Sequence, residues 1–297
     1  IIDVAHHIQS GSPLDKIAKK RGTTFYLGEK VLPMLPESII KNYSLKPNKD
    51  SLTISVIMNF DRSGQLLEFS IKPTIINIDH QLTYQKTQEL LADPSKVNSK
   101  QKGFVEKLQN LFFTVSPLIK AQRLQRGGFE LQLEPKLPYQ DEGRIGTIVA
   151  SSKTPIRSLL TELLILTNKV VATHINALGV PGIYCIQPEP DWEELEDLLK
   201  LVQNLGIEFN LQDDEEIIPR DYHNLTQLLN KSSHVNVLNY LLHGTLKSSR
   251  YSSYPGAHFG LAYNDSYIHC ISPGKRYIDL LIQRILKLVF SEGRDRR

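Results

Sequence analysis

The sequence predicts an α+β fold, and three observations carry that prediction. Leu52, Ile54, Val56, Met58 and Phe60 alternate with mostly polar residues, the period of a half-buried strand. Asp61-Arg62-Ser63-Gly64 then supplies turn residues before a second extended stretch, which together read as a hairpin. Long segments of helical spacing follow, the best of them running from Thr154 as cap, through Pro155 in the first turn, to Gly179 as left-handed terminator.

Taken in order, Ile1 to Ile8 reads as a strand already under way, because apolar residues arrive with no preceding cap or turn. With no initiator methionine, this start is expected to reflect an amino-terminal truncation. The hairpin comes next, then helical spacing in Leu82 to Leu91 and from Val105 to Ile119, where Pro117 is expected to kink or end the helix. Phe129 to Leu133 and Ile145 to Ala150 return to strand character, and the Thr154–Gly179 helix follows. A further helix carries Trp192, Leu195, Leu198, Leu199, Val202 and Leu205 at helical spacing and ends at Gly206. A last helix spans about Tyr277 to Phe290, and the charged tail Glu292 to Arg297 reads as a linker.

The 297 residues are 40% hydrophobic and 23% charged, which supports a packed core and excludes disordered or collagenous classes. No apolar run reaches the length of a membrane helix. Cys185 and Cys270 form no CxxC pair, so neither a disulfide scaffold nor a zinc ribbon is indicated, and a reducing compartment is expected. The net charge of +3 is unevenly placed: from Gln187 to Arg220, eleven acidic residues face only Lys200 and Arg220, a balance of −9 that leaves +12 elsewhere. Such asymmetry suits a surface that meets a polyanion, although scattered surface lysines would give the same sum.

No P-loop, GxSxG, HExxH or GxGxxG is present. Asp3, His6 and His7 are poor metal ligands as a set, since a strand would turn His6 away from the other two. Asp213-Asp214 and Glu215-Glu216 fit a solvated loop. Glu162 stands out because it interrupts an apolar run, where a carboxylate is costly unless paired or wet; an exposed helix face is the competing explanation. Ser272-Pro273-Gly274-Lys275-Arg276-Tyr277 delivers two cations to a helix start, where they oppose the dipole unless an anion such as phosphate binds there; two solvated cations at an open turn remain the alternative.

The stretches IIDVAHHI, GSPLDKIAKKRGTTFYLGEKVLPMLPE, LTYQKTQELL, LLTELLILTNKVVA and HFGLAY through YIHCISPGKRYIDLL resemble, in order and spacing, the ribonuclease II and ribonuclease R type exoribonucleases built on the RNB catalytic domain. The resemblance spans nearly the whole chain. It implies an RNB-type fold, a mixed, mostly antiparallel sheet with helices around an RNA channel, truncated at its amino terminus. A partial RNB domain is expected over residues 1–290, with 291–297 a linker towards an absent OB-type RNA-binding domain.

The implied activity is 3′→5′ hydrolysis of single-stranded RNA to 5′-mononucleotides, using Mg2+ in the complete enzyme. Lys275 stands at the catalytic arginine of the family's SPIRRY motif and Arg276 follows it; lysine keeps the charge but loses the bidentate fork, and Gly274 replaces the isoleucine. Glu162 matches the family's functional glutamate. Tyr26 matches an aromatic that stacks on a base, Phe129 is expected to supply the other clamp, and Tyr84 matches the tyrosine that contacts the 3′ end. The family's metal-binding DxDD cluster has no counterpart, so no metal ligand is expected in this chain, which alone should be inactive. A degenerate, non-catalytic RNA-binding or regulatory member is the alternative, supported by Gly274-Lys275. A monomer without membrane attachment, in the cytoplasm or an organelle stroma, completes the expectation.

Overall fold

The computed structural model describes residues 1–27, 30–92, 102–131, 136–141, 144–149, 155–209, 211 and 216–293. The amino terminus departs from the expected strand. Ile2 bridges Thr53 antiparallel and the Ile1 ammonium donates to the Ile54 carbonyl, but the chain then turns into helix α1 (Val4–His7). Helix prevails because its first N–H groups have side-chain partners: Asp3 Oδ1 accepts from His6, and Gln283 Oε1 accepts from Val4 and Ala5. Asp3 is ion-paired with Lys287 at 2.6 Å and His7 stacks on Tyr43 at 3.9 Å, so these residues serve packing.

Helix α2 (Pro13–Arg21) follows, with Ser12 as cap and Pro13 in the first turn. Its Asp15 carboxylate accepts from Gly11, Tyr277 and Arg284, which ties this helix to the far end of the chain. Strands β1 (Phe25–Leu27) and β2 (Lys30–Leu32) form a small exposed antiparallel pair, and α3 (Glu37–Tyr43) follows. The expected hairpin is β3 (Asp50–Phe60) with β4 (Leu66–Asn77). Asp61 Oδ1 collects the Ser63 and Gln65 amides to close its turn. Gly64, at φ +82°, lies so close to Leu118 that a Cβ would fall 2.6 Å from the leucine Cβ.

Helix α4 (Tyr84–Ala92) is capped by the Thr83 side chain. Helix α5 (Lys102–Asn110) does not end at Pro117. The chain widens into a π-helical turn at Leu111–Val115, with Ser116 N–H donating to the Leu111 carbonyl, and continues as α6 (Ser116–Gln125). The wider turn is placed where the proline, which lacks an N–H and crowds the preceding turn, would otherwise break the ladder. Residues 129–131 form no strand: Arg123 Nη1 donates to the Phe129 carbonyl, and just ahead of them His223 Nδ1 bonds the Gly128 carbonyl. The rest of that expected strand, Gln132 and Leu133, lies outside the described residues.

Strands β5 (Lys136–Asp141) and β6 (Arg144–Val149) pair antiparallel. Helix α7 (Pro155–Ala177) is the predicted long helix, ending as Gly179 adopts φ +63°; its expected cap, Thr154, lies outside the described residues. Strand β7 (Tyr184–Ile186) precedes α8 (Trp192–Asn204), α9 (Pro219–Leu229) and α10 (Val235–Gly244), then β8 (Arg250–Ser252) pairs with β7 and α11 (Tyr277–Ser291) closes the described chain. Among the described residues the sheets are four separate two-stranded antiparallel pairs and no barrel closes.

Among the described residues, the three largest apolar clusters hold most of these pieces. In the first, Ile54 and Ile71 of the hairpin pack with Val170, Val171 and Ile175 of α7 and with Ile282, Leu286 and Val289 of α11. The second joins α8, α9 and α10 around Tyr222, Phe129 and Phe259. The third seats α1 and α2 on Met34, Leu35 and Leu280. Fully burying such side chains contributes about 1.5–3 kcal/mol each.

Candidate nucleic-acid interface

The turn before α11 is built around a carboxylate. Asp279, fully buried in the first helical turn, accepts from the Ser272 amide at 2.7 Å and from Arg276 Nη2 at 3.0 Å. Burial pushes its carboxyl up, against the opposing pull of Arg276. Lys275 and Arg276 amides both donate to the Ser272 carbonyl, completing a tight turn. The same turn is laced to the segment before β1: Thr24 N–H and Thr23 Oγ1 donate to the Lys275 carbonyl, and Tyr277 N–H donates to the Gly22 carbonyl.

This lacing carries Tyr26 to Lys275. The ring is 58% exposed, and Lys275 Nζ stands 5.7 Å from its centroid. Lys275 is exposed, whereas the Arg276 charge is engaged by Asp279 and its Nε is buried without a hydrogen-bond partner among the described residues. A Cβ at Gly274 would meet nothing within 4 Å, so packing does not require glycine there.

Glu162 is not on an exposed face. It is 2% exposed and accepts two hydrogen bonds from Arg123, Nε at 2.9 Å and Nη2 at 2.7 Å. Burial would lower the guanidinium's affinity for its proton, but Glu162 and then Glu130 more than restore it. Arg123 also holds the Phe129 carbonyl and Glu130, so this pair joins α6, the loop after it, and α7. The sequence marks Glu162 as needing a partner; which cation supplies it is decided by the crossing of α6 on α7.

An aromatic and cationic strip leads from this pair towards the Lys275 turn. The buried Tyr263 ring has Arg126 at 5.1 Å and Lys169 at 5.2 Å from its centroid, and it stacks on the buried Tyr267 at 5.8 Å. Lys169 is held by Asp265, and the Tyr267 hydroxyl accepts from Asn168. Tyr267 meets His269 edge-on, and His269 in turn bonds the Tyr251 hydroxyl. Arg123, Tyr263, Lys169, Tyr251 and His269 carry no isolated sequence signal and emerge only from this assembly.

The remaining candidates lie apart. Phe129 is 7% exposed, its ring against Tyr222 at 5.2 Å and Phe259 at 6.1 Å, so the expected base clamp is corrected: a core ring has no face for a base. Tyr84 is exposed at the start of α4, and among the described residues no hydrogen bond or ring contact joins it to Tyr26 or Lys275. Among the described residues no group of three or more His, Cys, Asp or Glu is placed to hold a metal ion, so the described residues do not fit a magnesium site. Cys185 and Cys270 are buried and unpaired, with both thiols pushed up by burial. Among the described residues no helix is long and apolar enough to cross a membrane.

Comparison with known proteins gives a consistent result. Residues 1–292 match the RNB domain family. The chain is 46% identical over 297 residues to the acetazolamide conferring resistance protein zam of Synechocystis, covering 100% of this chain and 38% of that protein. It is 31% identical over 295 residues to ribonuclease R of Thermotoga maritima, covering 99% of this chain and 41% of the relative. The chain thus spans about two fifths of the length of the curated relatives it matches. Mycoplasma genitalium RNase R, solved in complex with ribose methylated single-stranded RNA, superposes with a TM-score of 0.87 at 26% identity, over 100% of this chain and 47% of that one.

Proposed function

Because the chain belongs to the RNB domain family, we propose that it forms the RNA-gripping part of a 3′→5′ exoribonuclease that hydrolyses single-stranded RNA to 5′-mononucleotides. The observation that carries this reading is the placement of an exposed aromatic, Tyr26, beside an exposed cation, Lys275, on one laced turn. Tyr26 stacks on a base without reading its identity. Lys275 neutralises a phosphate and stabilises the charge that builds there as the bond breaks. Arg276, locked by Asp279, supplies a second, fixed positive charge. Glu162 serves from within, holding Arg123 and through it the loop after α6. Tyr84 is the proposed contact to the 3′ end.

Magnesium, implied by the resemblance, finds no donor set among the described residues, and no step is drawn through it. The 297-residue chain is accordingly expected to bind RNA without releasing mononucleotides. Binding without cutting as the native role is the second reading. Gly274-Lys275 favours it, since lysine lacks the bidentate fork of arginine and no packing demand explains the glycine.

Fluorescence anisotropy of a short single-stranded RNA across a salt series tests the grip. Lys275→Ala should weaken binding and reduce the salt slope by about one. A slope indifferent to Lys275 would remove the basis for this placement of the RNA.

A further inference from the structure

Three residues before the Ser272–Tyr277 turn, His269 forms with Tyr251 a polar pair that the proposed function leaves unused. Tyr251, on β8, is 46% exposed and its hydroxyl shares a 2.8 Å hydrogen bond with His269 Nδ1. His269 is braced edge-on by Tyr251 at 5.8 Å and by Tyr267 at 5.7 Å, so its ring orientation is fixed. Tyr251 faces Cys185 across the β7–β8 pair, and the Cys185 N–H donates to the Tyr267 carbonyl, which places both rings at the segment that runs into the Ser272–Tyr277 turn. On the turn itself, Arg276 Nε is buried with no hydrogen-bond partner among the described residues.

We propose that Tyr251 and His269 form a hydrogen-bond donor pair that holds a non-bridging oxygen of the RNA backbone phosphate beside Lys275 and Arg276. The inference rests on the RNA-binding reading above and extends it. Tyr251 touches the phosphate, and His269 is a positioning residue acting through it. The chemistry follows from the donor inventory: when imidazole Nδ1–H donates to the phenol oxygen, the phenol hydrogen is left free to point outward. Burial and the Arg276 charge hold His269 down at about 4, so the ring is neutral at pH 7. The pair therefore orients an anion without adding charge, which Lys275 and Arg276 already provide. A phosphate oxygen is the acceptor these surroundings select, because two cations stand on the same turn.

The test is anisotropy on a short single-stranded RNA with the full 297-residue chain, comparing Tyr251→Phe, His269→Gln and His269→Leu with the unaltered protein. Tyr251→Phe should weaken binding about tenfold, the worth of a hydrogen bond to a charged group, while leaving the salt slope unchanged because no charge is lost. His269→Leu should match it, and His269→Gln, which can still donate to the phenol oxygen, should retain most of the affinity. A methylphosphonate walked along the RNA should abolish the effect of Tyr251→Phe at one linkage only, a coupling that a merely structural role would not produce. Tyr251→Phe keeps the ring at a half-exposed site, so a failure to fold does not obscure the result. If Lys275→Ala weakens binding and Tyr251→Phe does not, the pair is no part of the contact and the function proposed above stands. If neither weakens binding, both readings fall together. Equal coupling at every linkage would also overturn the pair.

Discussion

Lys275 Nζ stands 5.7 Å from the centroid of the Tyr26 ring, across 249 positions of sequence, because the backbone of residues 22–24 is hydrogen-bonded to that of residues 275–277. Two weak sequence signals, an exposed tyrosine and an exposed lysine, become one surface through main-chain contacts that neither residue's side chain encodes.

Tyr26→Ala should cost about 1–3 kcal/mol of single-stranded RNA affinity with little dependence on base sequence, whereas Tyr26→Phe should retain most of it. The double variant with Lys275→Ala should lose less than the sum of the singles, as the cation and ring act on neighbouring parts of the same nucleotide. Anisotropy titrations of the four proteins give both numbers.

Glu162→Gln should destabilise the fold by about 3 kcal/mol, because the buried Arg123 charge would keep only the exposed Glu130 as its counterion. Replacing both partners with methionine should recover much of the loss. Urea unfolding midpoints at neutral pH decide this, and a fully stable Glu162→Gln would contradict a structural role for the pair.

Phe129→Ala should lower stability by about 3–5 kcal/mol through loss of its packing on Tyr222 and Phe259. Phe129→Leu should keep RNA affinity intact. Tyr84→Ala should show the reverse pattern, a surface change with near-native stability and weaker RNA binding. Urea midpoints and anisotropy on the same three variants separate the two roles.

Acidification should destabilise the protein between pH 6.5 and 4. Burial lowers His258 and His269 from 6.5 to about 4, so over that window the unfolded chain binds protons that the folded one refuses. Their stabilising contribution is complete above pH 6.5 and is lost as the pH falls towards 4, where their difference is largest, on the order of 3 kcal/mol for a wholly enclosed group and less for these partly accessible rings. Asp279, raised by burial, acts in the opposite sense at the acid end, since it binds a proton in the folded state before the unfolded carboxyl does. Unfolding free energies of the unaltered chain and of His258→Gln across this range test the assignment; a variant with the same pH slope would refute it.

Elements with strong local codes are legible in the sequence. The β3–β4 hairpin follows from strict alternation around a turn sequence, and α7, α8 and α11 follow from helical spacing with recognisable stops. The π-helical turn ahead of Pro117 is half legible, since the proline announces a kink or an end but not which of the two, nor that the helix widens one turn earlier. The short helices α2, α3, α9 and α10 escape such reading, although Ser12-Pro13 is a recognisable start.

The strand expected at Ile1–Ile8 and the described part, residues 129–131, of the one expected at Phe129–Leu133 failed for a shared reason. In both places side chains from other elements, Gln283 in one and Arg123 in the other, satisfy backbone groups that a sheet would have used. Sequence by itself determined the family, the α+β class and the residue types of the site, because patterning, caps and motif order are local properties. Only the tertiary structure decided that Glu162 is paired, that Phe129 is core, and that Tyr26 meets Lys275, because the burial and charge of a side chain depend on which distant segment packs over it.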